Sequence, residues 1–388
     1  MSVRGRVVYI ITKLELGGAQ KVCLALHQDL IKSQMISTLI SGKEGILVEE
    51  VENLNHVILL EDFKREVGLK LFFYEIRAFW NLWKVLRSIA KKYPDVIVHT
   101  HSTKAGIVGR WAAFFARIKY RIHTVHGFGF HDYQSWYIWY TIFLFEWVTS
   151  FITSHFVCVS KKDKERGSKC FPFFARKSSL IRAAVDDEKY RMAKKSSKKW
   201  HEGAKIVIGT IACFKPQKNM IDLLRAFYKL KNRLPVSIQS LLFLEIIGDG
   251  EQRQMIETWI QEHKLEDQII LHGWQNNVDQ FLHTWDIFSL SSLWEGLPCA
   301  VVEARLARLP VVAYDVGGIG EIIKNGDNGY LVKPGDWREL SNRLFDLIHE
   351  QSLYQKCTDY TDVLNPFYRE TMVEEHVKLY RSFLEKSK

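Results

Sequence analysis

The most informative part of the sequence for the fold is residues 289–336, SLSSLWEGLPCAVVEARLARLPVVAYDVGGIGEIIKNGDNGYLVKPGD. The apolar runs IFSLSS, which begins at residue 287, PVVAYDV and GYLVKP are typical of strands, and the segments between them have helical or loop patterns. Strands that alternate with helices predict a parallel sheet, because parallel neighbours need a crossover between them. The stretch therefore indicates an α/β domain.

The same alternation continues on both sides of this stretch. Upstream in the second half lie KIVIGTIA, LLFLEIIG and IILHG, and the first half has VVYIIT, ISTLIS, HVILLE, VIVHTH, RIHTVHG and FVCVS. Residues 182–203, between the halves, are polar and lysine-rich, which indicates a linker. We therefore predict two Rossmann-like, doubly wound domains, at residues 1–185 and 204–365, that face a cleft. Ligands of such sheets bind beyond the carboxyl ends of the strands.

Composition and charge restrict the class of protein and its partners. The 388 residues are 47% hydrophobic and 25% charged, which suits two globular domains. Six cysteines without CxxC pairs favour a reducing cytoplasm, and Arg4 and Arg6 lead straight into a strand-like run that is too short for a secretory signal. The net charge of +10 favours phosphates or anionic lipid. Because no nucleic-acid-binding motif accompanies it, we expect a membrane surface and no nucleic acid.

The longest apolar stretch, residues 133–160, allows three interpretations. Its only clear charge is Glu146, near the middle of WYIWYTIFLFEWV, and Thr, Ser and Tyr interrupt the run, so a transmembrane span is disfavoured. A buried helix of the first domain is one remaining interpretation. An aromatic-rich helix in the membrane interface is the other, because Trp and Tyr are favoured there. The sequence leaves these two open.

A pair of glutamates gives the stretch its chemistry. Glu295 follows a buried strand, Gly296 allows close approach of a ligand, and Pro298 suits the first turn of a helix that carries Glu303. The N-terminus of that helix is a natural seat for a diphosphate, and each carboxylate can accept paired hydroxyls. On spacing alone, two solvated glutamates at a helix end are an equally good interpretation.

The stretch resembles the E-x7-E signature of glycosyltransferase family 4, the retaining enzymes of the GT-B fold. The resemblance covers nearly the whole chain. LELGGAQKVCLAL, PDVIVHTH, RIHTVHGFG and FVCVS resemble the family's first half, and IGTIACFKPQKN, IIGDGEQR, HGW and VGGIGEIIKNGDNGYLVKPGD its nucleotide-binding half. The closing segment, about residues 366–388, resembles the terminal helix that packs back on the first domain, with Pro366 at its start.

The resemblance implies a role for each matching residue. Glu303 would bind the ribose hydroxyls, Glu295 would hold hydroxyls of the transferred sugar, and Lys218 would neutralise the diphosphate leaving group. Gly17 and Gly18 would bring a helix N-terminus against the diphosphate. Donor binding extends to the other matched positions: Lys215, Gly248, Gly273, Gly296, Leu297 and Pro298.

His126, in TVHG, matches a family histidine that reaches the donor sugar, and it joins Glu295 and Lys218 as a catalytic residue on that resemblance. Four histidines within thirty residues could also indicate a metal, but carboxylates are sparse around them. The family lacks the DxD metal motif. The resemblance therefore implies no metal and no other cofactor, since the nucleotide-sugar is a co-substrate.

The chain departs from the family pattern at two places. Cys213 stands where an arginine is common, so the second diphosphate cation is open, and AAVD at residues 183–186 replaces NGVD. The resemblance implies transfer with retention of anomeric configuration, by attack on the face of the leaving group, with the leaving phosphate as base.

Together these features predict a cytoplasmic enzyme, peripherally attached to the inner membrane, that acts in surface-polysaccharide biosynthesis. It would transfer a sugar, by family frequency from a UDP-sugar, to a lipid-linked saccharide. Two alternatives remain: a nucleotide-sugar 2-epimerase of the same fold, and a non-catalytic protein that binds nucleotide or polysaccharide.

Overall fold

The computed structural model describes residues 5–32, 35–51, 54, 56–64, 72–191 and 203–385. The chain forms two compact units: Met1–Ala184 with Pro366–Lys388, here unit 1, and Val185–Asn365, here unit 2. Both are α/β units built on a parallel sheet.

The sheet of unit 1 has seven parallel strands in the order β3-β2-β1-β4-β5-β6-β7. They are β1 Arg6–Ile10, β2 Ile36–Gly42, β3 Val57–Leu60, β4 Ile97–His101, β5 Tyr120–Val125, β6 His155–Cys158 and β7 Ser178–Leu180. Strand order reverses between β1 and β4, which makes their carboxyl ends the switch point of the sheet. The central strands are buried on both faces: β1 is a nearly continuous apolar run, whereas β4, with the sequence IVHTH, buries two histidines and a threonine.

Eight described helices accompany this sheet. They are α1 Gly18–Lys32, α2 Val48–Val51, α3 Phe72–Lys92, α4 Thr103–Phe115, α5 Trp136–Ile152, α6 Lys161–Cys170, a short 3-10 turn Phe174–Lys177, and α16 Arg369–Glu385. One core packs α3 and α4 on the sheet through Leu82, Leu86, Ala112 and Ala113. A second, aromatic core contains Phe130, Phe156, Phe171 and Phe174, against which the inner side of α5 packs.

Unit 2 repeats the arrangement with six parallel strands, in the order β10-β9-β8-β11-β12-β13. The strands are β8 Ile206–Ile211, β9 Leu242–Ile247, β10 Ile269–Gly273, β11 Ile287–Leu290, β12 Val311–Tyr314 and β13 Gly329–Val332. The helices are α7 Asp187–Tyr190, α8 Met220–Arg233, α9 Val236–Gln239, α10 Arg253–Glu262, α11 Val278–Thr284, α12 Cys299–Leu306, α13 Ile319–Ile322, α14 Trp337–His349 and α15 Gln351–Asp359. The switch point here lies between β8 and β11.

The structure corrects three details of the sequence analysis. The predicted linker is not solvated throughout, since Ala183, Ala184 and Val185 are buried and α7 follows them; residues 192–202 lie outside the described residues. Pro298 precedes α12 rather than standing in its first turn. The terminal helix α16 begins at Arg369, after a 3-10 turn over Asn365–Phe367, because Pro366 occupies that turn.

Candidate active site

The loops after β8 and β11 form one connected structure at the switch point of unit 2. The Ser291 hydroxyl donates to the carbonyl oxygens of Lys218 and Asn219, both at 3.0 Å. The backbone N–H of Leu293 donates to the carbonyl of Gln217 at 2.8 Å. Two loops that are distant in sequence are therefore fixed against each other at the carboxyl edge of the sheet.

This connection brings Lys218 and Glu295 into contact. The Lys218 ammonium donates to Glu295 Oε1, and their side chains are only 15% and 9% exposed. Burial, the largest single influence, lowers the pKa of Lys218, but the charge and hydrogen bond of Glu295, with Cys213 and Cys299 nearby, together raise this pKa above its ordinary value. Gln217 Nε2 donates to the carbonyl of Trp294 at 2.8 Å and lies 3.4 Å from Glu295 Oε2. The site thus holds a permanent cation beside an oriented carboxylate.

Glu303 lies buried on α12, and a residue that the sequence analysis missed contacts it. Tyr190, at the end of α7, is buried and hydrogen-bonds the Glu303 carboxylate. Burial raises the pKa of the Tyr190 phenol, and the carboxylate raises it further, so the phenol remains a hydrogen-bond donor. The sequence alone did not indicate that Tyr190 contacts Glu303, because no local pattern joins the two residues.

The loop over Gly296–Pro298 leads into the N-terminus of α12. The N-cap residue is Pro298, whose side chain makes no capping hydrogen bond. Gly318 N–H donates to the carbonyl of Gly296 at 2.6 Å. A Cβ on Gly317, whose φ is 52°, would lie 2.2 Å from the Glu295 carbonyl oxygen. Only glycine allows the loop after β12 to support Glu295 this closely.

The other predicted donor-binding residues of unit 2 lie at the same carboxyl edge. Lys215 precedes the 3-10 turn that carries Lys218, and Gly273 is the last residue of β10. Gly248 follows β9 with a φ of 133°, and a Cβ there would lie 2.0 Å from the carbonyl oxygen of Ala212. These residues, with Glu295, Glu303 and Lys218, occupy one edge of one sheet.

Gly17 and Gly18 lie at the carboxyl edge of unit 1, where β1 leads into α1. Neither has a positive φ, so the backbone conformation does not require glycine at either position. A Cβ on Gly17 would meet only the flexible end of the Gln20 side chain. The first turn of α1 contains no acidic residue. Their interpretation as a surface for close approach of a ligand stays a prediction.

His126 follows β5 at the same edge and contacts a second histidine. Its Nε2 lies 2.9 Å from Nδ1 of the buried His101. Burial, and to a lesser degree the nearby His376, lower the pKa of His126 to about 3, so the ring is neutral at pH 7. Within the described chain, His101 Nε2 has no hydrogen-bond partner. A buried orphan acceptor is less costly than an orphan N–H, so we assign the proton to His101 Nδ1. His126 then retains its Nδ1–H as a donor.

The remaining histidines of this cluster belong to the core of unit 1. His99 Nδ1 lies 2.6 Å from the Tyr380 hydroxyl of α16, and His99 Nε2 lies 2.7 Å from Thr124 Oγ1. His123 Nδ1 lies 2.9 Å from Thr100 Oγ1. Across the described residues, no group of three His, Cys, Asp or Glu side chains is arranged to hold a metal ion.

Two family models match the chain in succession. Glycosyltransferase Family 4 matches residues 16–189, and Glycosyl transferases group 1 matches residues 192–362. The first match covers most of unit 1, and the second covers the edge that holds Lys218, Glu295 and Glu303.

Bacterial glycosyltransferases are among the relatives. The UDP-Gal:α-D-GlcNAc-diphosphoundecaprenol α-1,3-galactosyltransferase of Escherichia coli is 30% identical over 348 residues, which are 87% of this chain and 86% of that protein. The capsular polysaccharide biosynthesis glycosyltransferase CapM of Staphylococcus aureus is 22% identical over 373 residues, 92% of this chain and 93% of that protein. The likeness therefore extends over both units.

Solved structures share the fold. Anabaena HepE in complex with UDP-glucose has a TM-score of 0.77 at 19% identity, covering 97% of this chain and 99% of HepE. Sucrose-phosphate synthase from Thermosynechococcus elongatus has a TM-score of 0.81 at 16% identity, covering 99% of this chain and all of that chain. At these identities the likeness shows the GT-B fold alone, which agrees with the two Rossmann-like sheets.

Proposed function

Because this chain belongs to glycosyltransferase family 4 and is a glycosyltransferase of the GT-B fold, we propose that it transfers a sugar from a UDP-sugar to a lipid-linked saccharide. Transfer retains the anomeric configuration and uses no metal. The observation that carries the proposal is the Lys218–Glu295 pair at the switch point of unit 2, with Glu303 on the helix that follows.

Lys218 supplies the positive charge that a metal provides in other transferases. As the bond between C1 of the sugar and the β-phosphate oxygen breaks, negative charge develops on that phosphate. The raised pKa keeps Lys218 cationic, and stabilisation of developing charge is usually the largest catalytic contribution. The acceptor hydroxyl attacks C1 on the face that the diphosphate leaves, and its proton passes to the departing phosphate. The products are UDP and the new glycoside.

Three further groups position the donor. Glu295, oriented by Lys218 and Gln217, accepts hydrogen bonds from hydroxyls of the sugar. Glu303 accepts hydrogen bonds from the two ribose hydroxyls, while Tyr190 holds its carboxylate in place. The N-terminus of α12 would face the diphosphate with backbone N–H groups. In unit 1, Gly17 and Gly18 would approach the diphosphate, and His126 would donate to a sugar hydroxyl.

The relatives support the choice of substrates. The Escherichia coli relative is named for a UDP-galactose donor and a diphosphoundecaprenol-linked acceptor, and the HepE structure contains UDP-glucose. We therefore place the chain at the cytoplasmic face of the inner membrane, in surface-polysaccharide biosynthesis. The net charge of +10 supports peripheral attachment to an anionic surface. No described helix is both long and apolar enough to cross a bilayer.

The test is nucleotide release from a panel of UDP- and GDP-sugars, with and without a polyprenyl-diphosphate-linked saccharide. We expect acceptor-dependent UDP release, with a product whose anomeric configuration, read by NMR, matches the donor. Lys218→Ala should lower kcat by roughly 100- to 1000-fold, because one charge-stabilising group is lost. Lys324→Ala, an exposed lysine of the same unit, is the matched control and should leave kcat unchanged.

Other results would contradict the proposal in distinct ways. Conversion of the donor to its 2-epimer without acceptor would identify an epimerase. Tight UDP binding without release from any donor in the presence of acceptor would identify a binding protein. A product of inverted configuration would exclude attack on the leaving-group face.

A further inference from the structure

Helix α5 of unit 1 buries its one charged residue and exposes several large apolar side chains. Glu146, Thr149 and Ser150 are its buried residues, and Glu146 is its only charged side chain. Six large side chains, between 38% and 61% exposed, form what we call the outer face of α5: Tyr137, Tyr140, Leu144, Phe145, Trp147 and Phe151. Five of them, all except Phe145, recur every three to four residues along one side of the helix, and Phe145 lies at the margin of that side. This side carries no charge.

A buried ion pair fixes the helix in this orientation. Arg110 Nη2 of α4 donates to Glu146 Oε2 at 2.7 Å, and the two side chains are 0% and 6% exposed. The same guanidinium donates to Thr153 Oγ1 at 2.9 Å and to the carbonyl of Gly106 at 2.7 Å. Rotating α5 to hide its outer face would leave the Arg110 charge buried without its partner, which is strongly unfavourable. The outer face is therefore a stable feature of unit 1.

Cations lie beside the C-terminal end of α5. Arg121 Nε donates to the carbonyl of Ile152 at 2.6 Å, which ties the connection between α4 and β5 to this end. That connection carries Arg117 and Lys119 next to the exposed Phe114 and Phe115. Among the described residues neither Arg117 nor Lys119 pairs with a carboxylate. Residues 96–131 contain no Asp or Glu at all, so this positive charge is not neutralised locally.

We propose that the outer face of α5, with Arg117 and Lys119, rests on an anionic lipid bilayer, the helix lying in the plane of the interface. Trp and Tyr are favoured at the headgroup level, phenyl and leucyl side chains reach below it, and cations contact lipid phosphates. The 17 residues of α5 would span only about 26 Å, less than the hydrocarbon core of about 30 Å, and one side is packed on unit 1.

Lipid is favoured over a protein partner because the outer face of α5 is apolar and uncharged, and the cations Arg117 and Lys119 beside it complement anionic headgroups. Unit 2 has only isolated exposed apolar side chains in its described residues, such as Val236 and Val363, and nothing like a continuous helix face. The inference rests on the proposed function in one respect: a lipid-linked acceptor makes the bilayer the surface that the enzyme must reach. The loop of His126 leads directly into the N-terminal end of α5, so the same contact would bring unit 1 to its acceptor.

The test is flotation of the full-length protein with vesicles of phosphatidylcholine alone or with one-third phosphatidylglycerol. We expect the protein to float with the anionic vesicles. The double variant Leu144→Glu/Phe151→Glu places two charges on the outer face and should lower the partition coefficient by roughly tenfold or more. Val236→Glu in unit 2, where the side chain is 82% exposed, is the matched control and should float as the parent does.

A second variant tests the cations. Arg117→Ala/Lys119→Ala should weaken binding to the anionic vesicles by roughly tenfold or more at low salt and leave the weak binding to neutral vesicles unchanged. If a variant fails to fold, hydrogen exchange of the parent gives an independent result: addition of anionic vesicles should protect the amides of residues 136–151.

Several outcomes would overturn the inference. Flotation of Leu144→Glu/Phe151→Glu equal to that of the parent would do so, as would unchanged exchange of residues 136–151. A parent dimer that the double variant makes monomeric, without change in flotation, would identify the outer face as an interface between copies. Flotation and nucleotide release fail independently: a protein that floats but transfers no sugar contradicts the proposed function alone, and one that transfers without floating contradicts this inference alone.

Discussion

Units 1 and 2 share a sheet topology but place their charged and apolar groups differently. In unit 2, Lys218, Glu295 and Glu303 gather at the carboxyl edge of the sheet, and exposed large apolar side chains are scattered. In unit 1 the corresponding edge carries neutral imidazoles, and an entire helix exposes aromatic residues. The difference shows that the same order of parallel strands can accompany different arrangements of charged and apolar groups.

The largest expected difference between the units is their response to acid, because unit 1 buries histidines. His99, His101 and His376 are at most 1% exposed, and burial lowers the pKa of each, that of His376 to about 4. The unfolded chain takes up protons below its ordinary histidine pKa of about 6.5, whereas the folded unit does not. Stability is therefore complete above that value and is lost as the pH falls. At pH 5 the loss should be roughly 2 kcal/mol for each histidine.

None of the histidines described in unit 2 is buried, so unit 2 is the internal control. Hydrogen exchange followed by mass spectrometry between pH 7.5 and 5 should show unit 1 opening first. Earlier opening of unit 2, or simultaneous opening of both, would contradict this prediction.

A second prediction concerns a feature that the two units share. Each contains a buried arginine–carboxylate pair: Arg110–Glu146 in unit 1 and Arg305–Asp362 in unit 2, both at 2.7 Å. Glu146→Ala or Asp362→Ala leaves a buried guanidinium without its counter-charge and should lower the free energy of unfolding by about 3–5 kcal/mol. Urea denaturation measures this loss.

The two variants should then differ in one respect. Because Glu146 sets the orientation of α5, its loss should also reduce flotation with anionic vesicles, whereas Asp362→Ala should not. The double replacement Arg110→Met/Glu146→Leu should recover most of the stability, because no charge stays buried. A loss below about 1 kcal/mol in Glu146→Ala would show that the pair does not fix the helix.

The smallest expected effect concerns the contact between Tyr190 and Glu303 in unit 2. Tyr190→Phe removes the hydroxyl that holds Glu303, and we expect UDP binding to weaken by roughly three- to tenfold. The affinity for 2′-deoxy-UDP should change less, because that nucleotide lacks one hydroxyl that Glu303 would bind. Isothermal titration calorimetry measures both. Tyr228→Phe, on an exposed tyrosine of unit 2, is the control; an equal loss for both nucleotides would place Tyr190 outside ribose recognition.

The strands could be predicted from the sequence because buried parallel strands are rich in apolar and β-branched residues, even where histidine and threonine interrupt the run, as in β4 and β5. Only β7 was missed, since its three residues, Ser178–Leu180, are too few and too polar to form such a run. The orientation of α5 could not be predicted for a different reason. Its residues are apolar on nearly every side, so their periodicity does not show which side of the helix is buried. The side is fixed by the ion pair between Glu146 and Arg110, and Arg110 lies on another helix.

The same limit applies to the sites. Motif resemblance indicated Lys218, Glu295, Glu303 and His126, but not Tyr190 or His101, the side chains that hold two of them. Both contacts join residues far apart in sequence, and each depends on the packing of elements that no local pattern describes. The substrate roles of all these residues stay predictions.

Helix α16 has a consequence for the order in which the protein is made. The Tyr380 hydroxyl lies 3.0 Å from that of Tyr9 in β1 and 2.6 Å from His99 in β4, so the core of unit 1 is completed by a helix that is translated after unit 2. The ribosome finishes unit 2 before α16 emerges. A nascent unit 1 therefore waits with an unfilled groove beside β1 and β4 while a second domain folds between its two parts. The core of unit 1 is complete only after unit 2 has been translated, and a chaperone that covers apolar surface has that interval in which to act.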